Sequence, residues 1–346
     1  MAAGCLVGSR AAHCGYCGFH RLDCLEFGLS SSSSLIRPVN HKIAERAGSI
    51  FSDDPEELSF VHSVFCSCAL PYRNIEGPAY KRTTGRASLT IASGFTEAEN
   101  DSSSSTSSSP EMVPIGIPYG SKPRLVLLHA MTEAVRRQDR EIPIAETLSG
   151  YLRKDLGANT DTRTLRGYRE QLKRLARASV SVEWRDPAAG KHVIQDAKPF
   201  SRLELWGAEG SSEAQRELWP SSLTLGHDFF ESLMEHAVPL DQRAIAAIHH
   251  NARALDLYAW LAHRLHRLRG DQFVSWQALH GQFGGATTVD TPRRLQDFSK
   301  DLTKALMEAL QVYPRARVEK VKGGLKLKKS PPPIKTVTIQ GTDLLV

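Results

Sequence analysis

In Arg315-Ala-Arg-Val-Glu-Lys-Val-Lys-Gly-Gly-Leu-Lys-Leu-Lys-Lys329, apolar Val318, Val321, Leu325 and Leu327 are set among cations on either side of Gly323-Gly324. That pattern predicts two short strands joined by a tight glycine turn. Just upstream, Thr291 supplies a helix cap and Pro292 fits the first helical position. The helix so opened places Leu295, Phe298, Leu302, Leu306 and Leu310 inward and Arg293, Arg294, Lys300 and Lys304 outward. Further back come helices over 241–250 and 252–269, a short strand over 272–276, and a short helix over 277–283 broken by Gly284-Gly285. Helix, short strand, helix, basic helix and basic hairpin is the order of a winged helix.

The same order is read a second time upstream. Pro123–Arg137 is a helix with Leu127, Leu128, Met131, Ala134 and Val135 on one face, followed by an extended piece at Glu141–Ala145 and a helix over Thr147–Leu156 ended by Gly157. From Asp161 a third helix packs Leu165, Tyr168, Leu172 and Leu175 and sets Arg163, Arg166, Arg169, Lys173 and Arg177 on a largely separate face. Ser179–Trp184, a turn at 186–190 and a returning strand at 192–206 predict a hairpin. The fold class expected is α+β, mainly helical, with two tandem winged-helix-like domains bearing basic hairpin wings.

At 346 residues and about 100 to 200 residues per domain, the chain has room for two or three domains. Serine tracts at 30–34 and 102–109 cannot bury enough apolar area to fold. The expected organisation is a disordered or artefactual extension (1–40), a helix-plus-hairpin lead-in (41–100), a Ser-rich linker (101–112), the two domains (113–226 and 227–332) and a tail (333–346). Within the lead-in, Asp53-Asp54-Pro55-Glu56-Glu57 signals a helix running to about Leu70, and 80–91 a hairpin around Gly85. No stretch approaches the roughly 20 apolar residues of a membrane span. No secretory signal is read at the start, which makes the cytoplasm the expected compartment.

Net charge is +6 but unevenly spread: residues 1–110 hold nine Lys and Arg against eleven acids, and residues 291–330 hold eleven against four. A basic helix beside a basic hairpin suits double-stranded DNA, the helix in the major groove and the hairpin against phosphates. The candidate contacts are Arg163, Arg166, Arg169, Lys173, Arg177, Arg293, Arg294, Lys300, Lys304, Arg315, Arg317, Lys320, Lys322, Lys326 and Lys328. The bland alternative is a solvated amphipathic helix and an edge hairpin guarded by lysines. All six cysteines precede residue 69; Cys14-x-x-Cys17 with His13, His20 and Cys24 matches no standard zinc spacing, and no metal is expected. His263 and His266 lack the further ligands a metal site needs. No nucleotide-binding or hydrolase motif is present, so neither a cofactor nor an enzymatic activity is expected.

Ile115-Gly-Ile-Pro-Tyr-Gly-Ser-Lys-Pro-Arg-Leu-Val-Leu-Leu128, followed by Thr132-Glu-Ala134 and Leu148–Gly157, resembles the plasmid-encoded replication initiator proteins of the RepA type. The resemblance extends from about residue 41 to about residue 330. It implies a non-enzymatic protein that binds repeats at a plasmid origin, helps open the duplex and recruits a host replication initiator or helicase. It also implies a division of labour, one unit reading DNA and the other serving homodimer and phosphate contact. The alternative reading is a winged-helix transcriptional repressor, autoregulatory or otherwise, without an initiation role.

Overall fold

Leu58–His62 is a strand, β1, where the acidic lead predicts a helix. It pairs antiparallel with Ala237–Asp241, and Phe60 and Val61 are buried there. A partner strand far along the chain overrides the local helical spacing. The helix is confined to α1, Ser63–Ser67, whose first turn is capped by the His62 imidazole accepting from the Val64 amide.

The computed structural model describes residues 57–85, 87–97, 112–143, 148–186, 191–205, 220–285, 291–334, 337–339 and 342–344, with isolated positions at 43, 45, 48, 50 and 55. The serine tracts, Asp53 and Asp54 of the helix-start signal, the four N-terminal cysteines, His13, His20 and the turn at 187–190 lie outside the described residues. The described residues all belong to one compact unit within Val39–Val346.

Strands β2 (Ala79–Thr84) and β3 (Ala87–Ala92) form the hairpin expected around Gly85, which takes the left-handed φ of 56° that a tight turn favours in glycine. β4 (Phe95–Glu97) pairs with β5 (Met112–Pro114). Helix α2, Ser121–Arg137, is buried nearly all round, from Pro123 to Thr132 without a break. A helix covered on every face lies at the centre of a fold. β6 is Glu141–Pro143; Leu148–Gly150 are helical and continue as a π-helical turn at Tyr151–Asp155. α3, Thr162–Arg177, starts where Asp161 accepts from the Thr164 amide.

Here the structure departs from the expected hairpin. β7 (Ser179–Asp186) and β8 (Lys191–Ala197) pair with each other, but β7 also pairs with β3, giving a four-stranded sheet in the order β2-β3-β7-β8. The 192–206 stretch is two strands: after β8 the chain turns and forms β9, Phe200–Leu205. β9 pairs with β10 (Pro220–Leu225), and β10 with β6. The short strand before α3 therefore belongs with β9 and β10, and β7–β8 is inserted between the helix and its sheet.

The second half continues with α4 (His227–His236), β11 (Ala237–Asp241), α5 (Gln242–Ile248) and α6 (Ala252–Arg264). α6 is the second central helix, with Ala254 to Ala262 buried in succession. β12 (Gln272–Ser275), α7 (Trp276–Phe283), α8 (Pro292–Gln311), β13 (Arg317–Val321) and β14 (Gly324–Lys328) follow. Their sheet has the order β12-β14-β13, and a short pair, β15 (Val337–Ile339) and β16 (Thr342–Leu344), ends the chain. The architecture is mixed helix and sheet, with small antiparallel sheets around α2 and α6. Both three-stranded sheets share one order, with the first strand beside the third and the second outside. Among the described residues no helix is long and apolar enough to cross a membrane.

Candidate nucleic-acid interface

Helix α8 is fixed at its start by Thr291, whose hydroxyl accepts from the Arg294 amide, and by Pro292 in the first turn. Its inward face is Phe298, Leu302, Ala305, Leu306 and Ala309, all buried. At 100° per residue, Arg293, Gln296, Asp297, Lys300 and Lys304 then fall on the opposite face, and all five are exposed. Arg294 and Asp301, also exposed, flank that row. Asp297 pairs with Lys300 at 3.6 Å, both side chains well exposed, so the pair is weak and leaves Lys300 available to a stronger anion.

The hairpin after α8 has two chemically distinct faces. Opposed residues share a face, so Val318 and Lys320 lie with Leu327 and Leu325, while Arg317, Glu319 and Val321 lie with Lys328, Lys326 and Gly324. Val318, Leu325 and Leu327 are core. Lys320 stays exposed at the margin of the core face, its ammonium 5.8 Å from the Trp276 ring centre. Arg315, Arg317 and Lys322 are exposed. Lys326 and Lys328 are half-buried, and each has a carboxylate partner, Asp271 at 2.9 Å and Glu319 at 2.5 Å. The contact with Asp271 raises the Lys326 pKa and lowers that of Asp271. Those two lysines brace the hairpin, whereas Arg315, Arg317, Lys320 and Lys322 face solvent.

A second one-sided row lies on α3. Arg163, Arg166, Lys173 and Arg177 are exposed and Arg169 is half-buried, opposite buried Tyr168, Leu172 and Leu175. Arg177 also donates to the Phe95 carbonyl at 2.9 Å, anchoring β4. Arg174 points elsewhere, to Asn74, Glu170 and the Ile117 carbonyl. Lys122 joins this surface from α2, its ammonium 5.5 Å from the Tyr168 ring centre and so close to Gly167 that a Cβ there would collide with it. Its signal in the sequence is the Lys-Pro-Arg at the start of α2, a position where charge spacing within α3 gives no hint of it.

His263 and His266 are held by one arginine: Arg267 reaches the Nε2 atoms of both, at 2.8 and 3.1 Å. Burial and the nearby Arg267 push His263 down to about 4. The pair is thus a neutral acceptor for a guanidinium. Among the described residues no group of three or more His, Cys, Asp or Glu is placed to hold a metal ion. Cys66 and Cys68 are buried thiols with pKa values raised by burial, inert in their present surroundings.

With α2, α3 and their cations in place, residues 117–278 match the family described as plasmid encoded RepA protein. That match covers just under half of the chain. Solved structures similar to the chain include two of RctB. A selenomethionine derivative of its domains 2 and 3 has 14% identity, covering 82% of this chain and 93% of that one, with a TM-score of 0.43. A structure of RctB domains 2–3, residues 155–483, has 14% identity, covering 77% and 96%, with a TM-score of 0.41. No curated protein matches the chain. The matched stretch begins at Ile117, takes in Lys122 and the whole of α3, and ends within α7. Helix α8 and its hairpin lie immediately beyond it.

Proposed function

We propose that the chain is a plasmid replication initiator that binds repeated double-stranded DNA at its origin through two winged-helix-like units. The observation that carries this reading is the row Arg293, Lys300 and Lys304, exposed along one side of α8 while the other side is locked into the core. An α-helix fits the major groove of B-DNA, which is about 12 Å wide, and cations in that row would meet guanine edges and phosphates. The recurring strand order, with helices between the first strand and the other two, supports the winged-helix reading of both halves. The match of residues 117–278 to the plasmid encoded RepA family supports the choice of a plasmid origin as the target.

In this reading α8 reads bases, and Arg315, Arg317, Lys320 and Lys322 hold neighbouring phosphates. The α3 row with Lys122 holds a further stretch of backbone or the partner in a homodimer. Opening of the duplex and recruitment of a host initiator or helicase follow from binding, without catalytic chemistry of the chain's own.

The test is a footprint on the origin of the parent replicon, with salt titrations for Arg293→Ala and Lys304→Ala. Protected direct repeats, together with a salt slope reduced by about 0.9 for each phosphate no longer neutralised, support the reading. An unchanged affinity and slope removes α8 from the interface. A single protected inverted repeat over a promoter assigns the same units to a repressor.

A further inference from the structure

Among the described residues, three large apolar side chains stand more than half exposed: Phe95, Met112 and Phe273. A single exposed apolar residue is ordinary. Phe273 differs in its surroundings. It lies on β12 directly opposite Lys326, on the sheet face turned away from the core, which Arg317 and Lys328 share. Its ring leans toward the hairpin turn, with Cζ 3.8 Å from where a Cβ on Gly323 would sit, and Lys322 is exposed on that turn. Asp271 and Glu319 are taken up by Lys326 and Lys328. Among the described residues neither Arg317 nor Lys322 is paired with a carboxylate. An aromatic ring at a turn ringed by cations suits a polyanion that also offers an apolar surface, and stacked bases between two phosphate backbones are such a partner.

We infer that Phe273 is a wedge that enters the minor groove beside the hairpin turn and partly unstacks one base step of the bound duplex, with Lys322 and Arg317 on the flanking phosphates. This rests on the reading of α8 and its hairpin as a duplex-binding unit, and it adds a second action: distortion of the DNA. Side chains that wedge between base steps act with little regard to sequence but favour easily unstacked pyrimidine–purine steps such as TA. The wedge therefore gives the protein a means of weakening the duplex at the point where it binds.

The experiment uses the full chain with origin duplexes carrying 2-aminopurine at successive positions and a donor–acceptor dye pair at the ends. Wild type is compared with Phe273→Ala, Phe273→Leu and Arg293→Ala. Wild type is expected to raise 2-aminopurine fluorescence at one step and bend the duplex. Phe273→Ala should abolish the rise and weaken binding roughly tenfold, the scale of a single base–aromatic stack, while Phe273→Leu keeps most of both. The side chain is exposed, and matching circular dichroism and melting curves establish that the variants fold. Binding by wild type with no rise at any position, or a full rise in Phe273→Ala, overturns the wedge and leaves α8 in place. Duplex binding that survives Arg293→Ala undiminished overturns instead the reading on which the wedge rests.

Discussion

Arg124 and Asp256 are joined by two parallel hydrogen bonds, Nε to Oδ1 at 2.8 Å and Nη2 to Oδ2 at 2.7 Å, with both side chains about one-tenth exposed or less. The rest of the guanidinium is used as well: Nη2 donates to the Leu70 carbonyl at 2.6 Å and Nη1 to those of Gly120 and Pro71 at 2.6 and 3.1 Å. The Tyr72 ring lies beneath it at 4.8 Å. One arginine thus ties α2 to α6 and to the chain that leaves α1. This is the physical content of the arginine in Ser-Lys-Pro-Arg-Leu, which otherwise interrupts an apolar helix.

Arg124→Ala should cost about 3–5 kcal/mol, because it strands the Asp256 carboxylate and three carbonyls in the core. Arg124→Lys should recover little, since an ammonium cannot reproduce the planar two-pronged contact. Urea unfolding followed by circular dichroism measures both. The double variant Arg124→Met with Asp256→Leu should sit between Arg124→Ala and wild type, relieving the stranded charge but leaving the carbonyls unanswered.

Arg82 does a related job at longer range. From β2 it donates to the carbonyls of Gly281 and Gly284 at 2.8 and 2.6 Å and to the Tyr80 hydroxyl at 2.7 Å. It caps the end of α7, where helix carbonyls lack partners within the helix. Arg82→Ala is expected to speed amide hydrogen exchange through α7 well beyond any change in β13 and β14. Equal acceleration across both would show that the clamp is not local.

These two arginines mark where sequence reading ends. α8 and its hairpin are legible because the signals are local: a Thr-Pro start, an apolar row at helical spacing, a glycine turn between alternating strands. β1 is not legible as a strand, because its partner β11 lies nearly 180 positions away and the acids before it mimic a helix start. The pairing of β7 with β3 is hidden in the same way, which is why the inserted hairpin reads as a wing. For the site, a charge census finds the exposed rows on α3 and α8. It cannot tell free Lys322 from Lys326 braced against Asp271, and it passes over Gln296, Lys122 and Phe273.

Two buried histidines, together with the partly buried His263, contribute to the response to acid. Burial pushes His62 down to about 4, with His236 adding repulsion, and burial likewise pushes His129 down to about 4. His62 is held neutral by its contacts with the Val64 amide and Ser232, and His129 stacks on Tyr151 at 4.8 Å. An unfolded chain takes up these protons near pH 6.5, whereas the native state resists until about 4. Below pH 6.5 the unfolded state therefore holds more protons, and stability falls as pH drops through the window from 6.5 to about 4. Each histidine should account for up to about 3 kcal/mol of that loss. Urea midpoints at several pH values check this; His129→Asn, although less stable at pH 7, should show a flatter acid limb.

Gln296 lies between Arg293 and Lys300 on the outward face of α8, exposed, and in the first turns of the helix. Under the proposed docking this is where base edges come within reach, since the N-terminal residues of a reading helix approach them. A glutamine amide offers one donor and one acceptor, the pair that matches adenine N6 and N7, whereas a lysine on a phosphate carries no sequence information. The two roles separate in measurement. Gln296→Ala should relax the base preference at one position of a selected site by about 1–3 kcal/mol and leave the salt slope unchanged. Lys304→Ala should leave preference intact and reduce the slope by about 0.9. Selection from a randomised repeat, followed by salt titration of the winning site, reads both quantities. If Gln296→Ala instead lowers affinity equally for all sequences, the amide contacts the backbone, and base reading passes to Arg293 and Lys300.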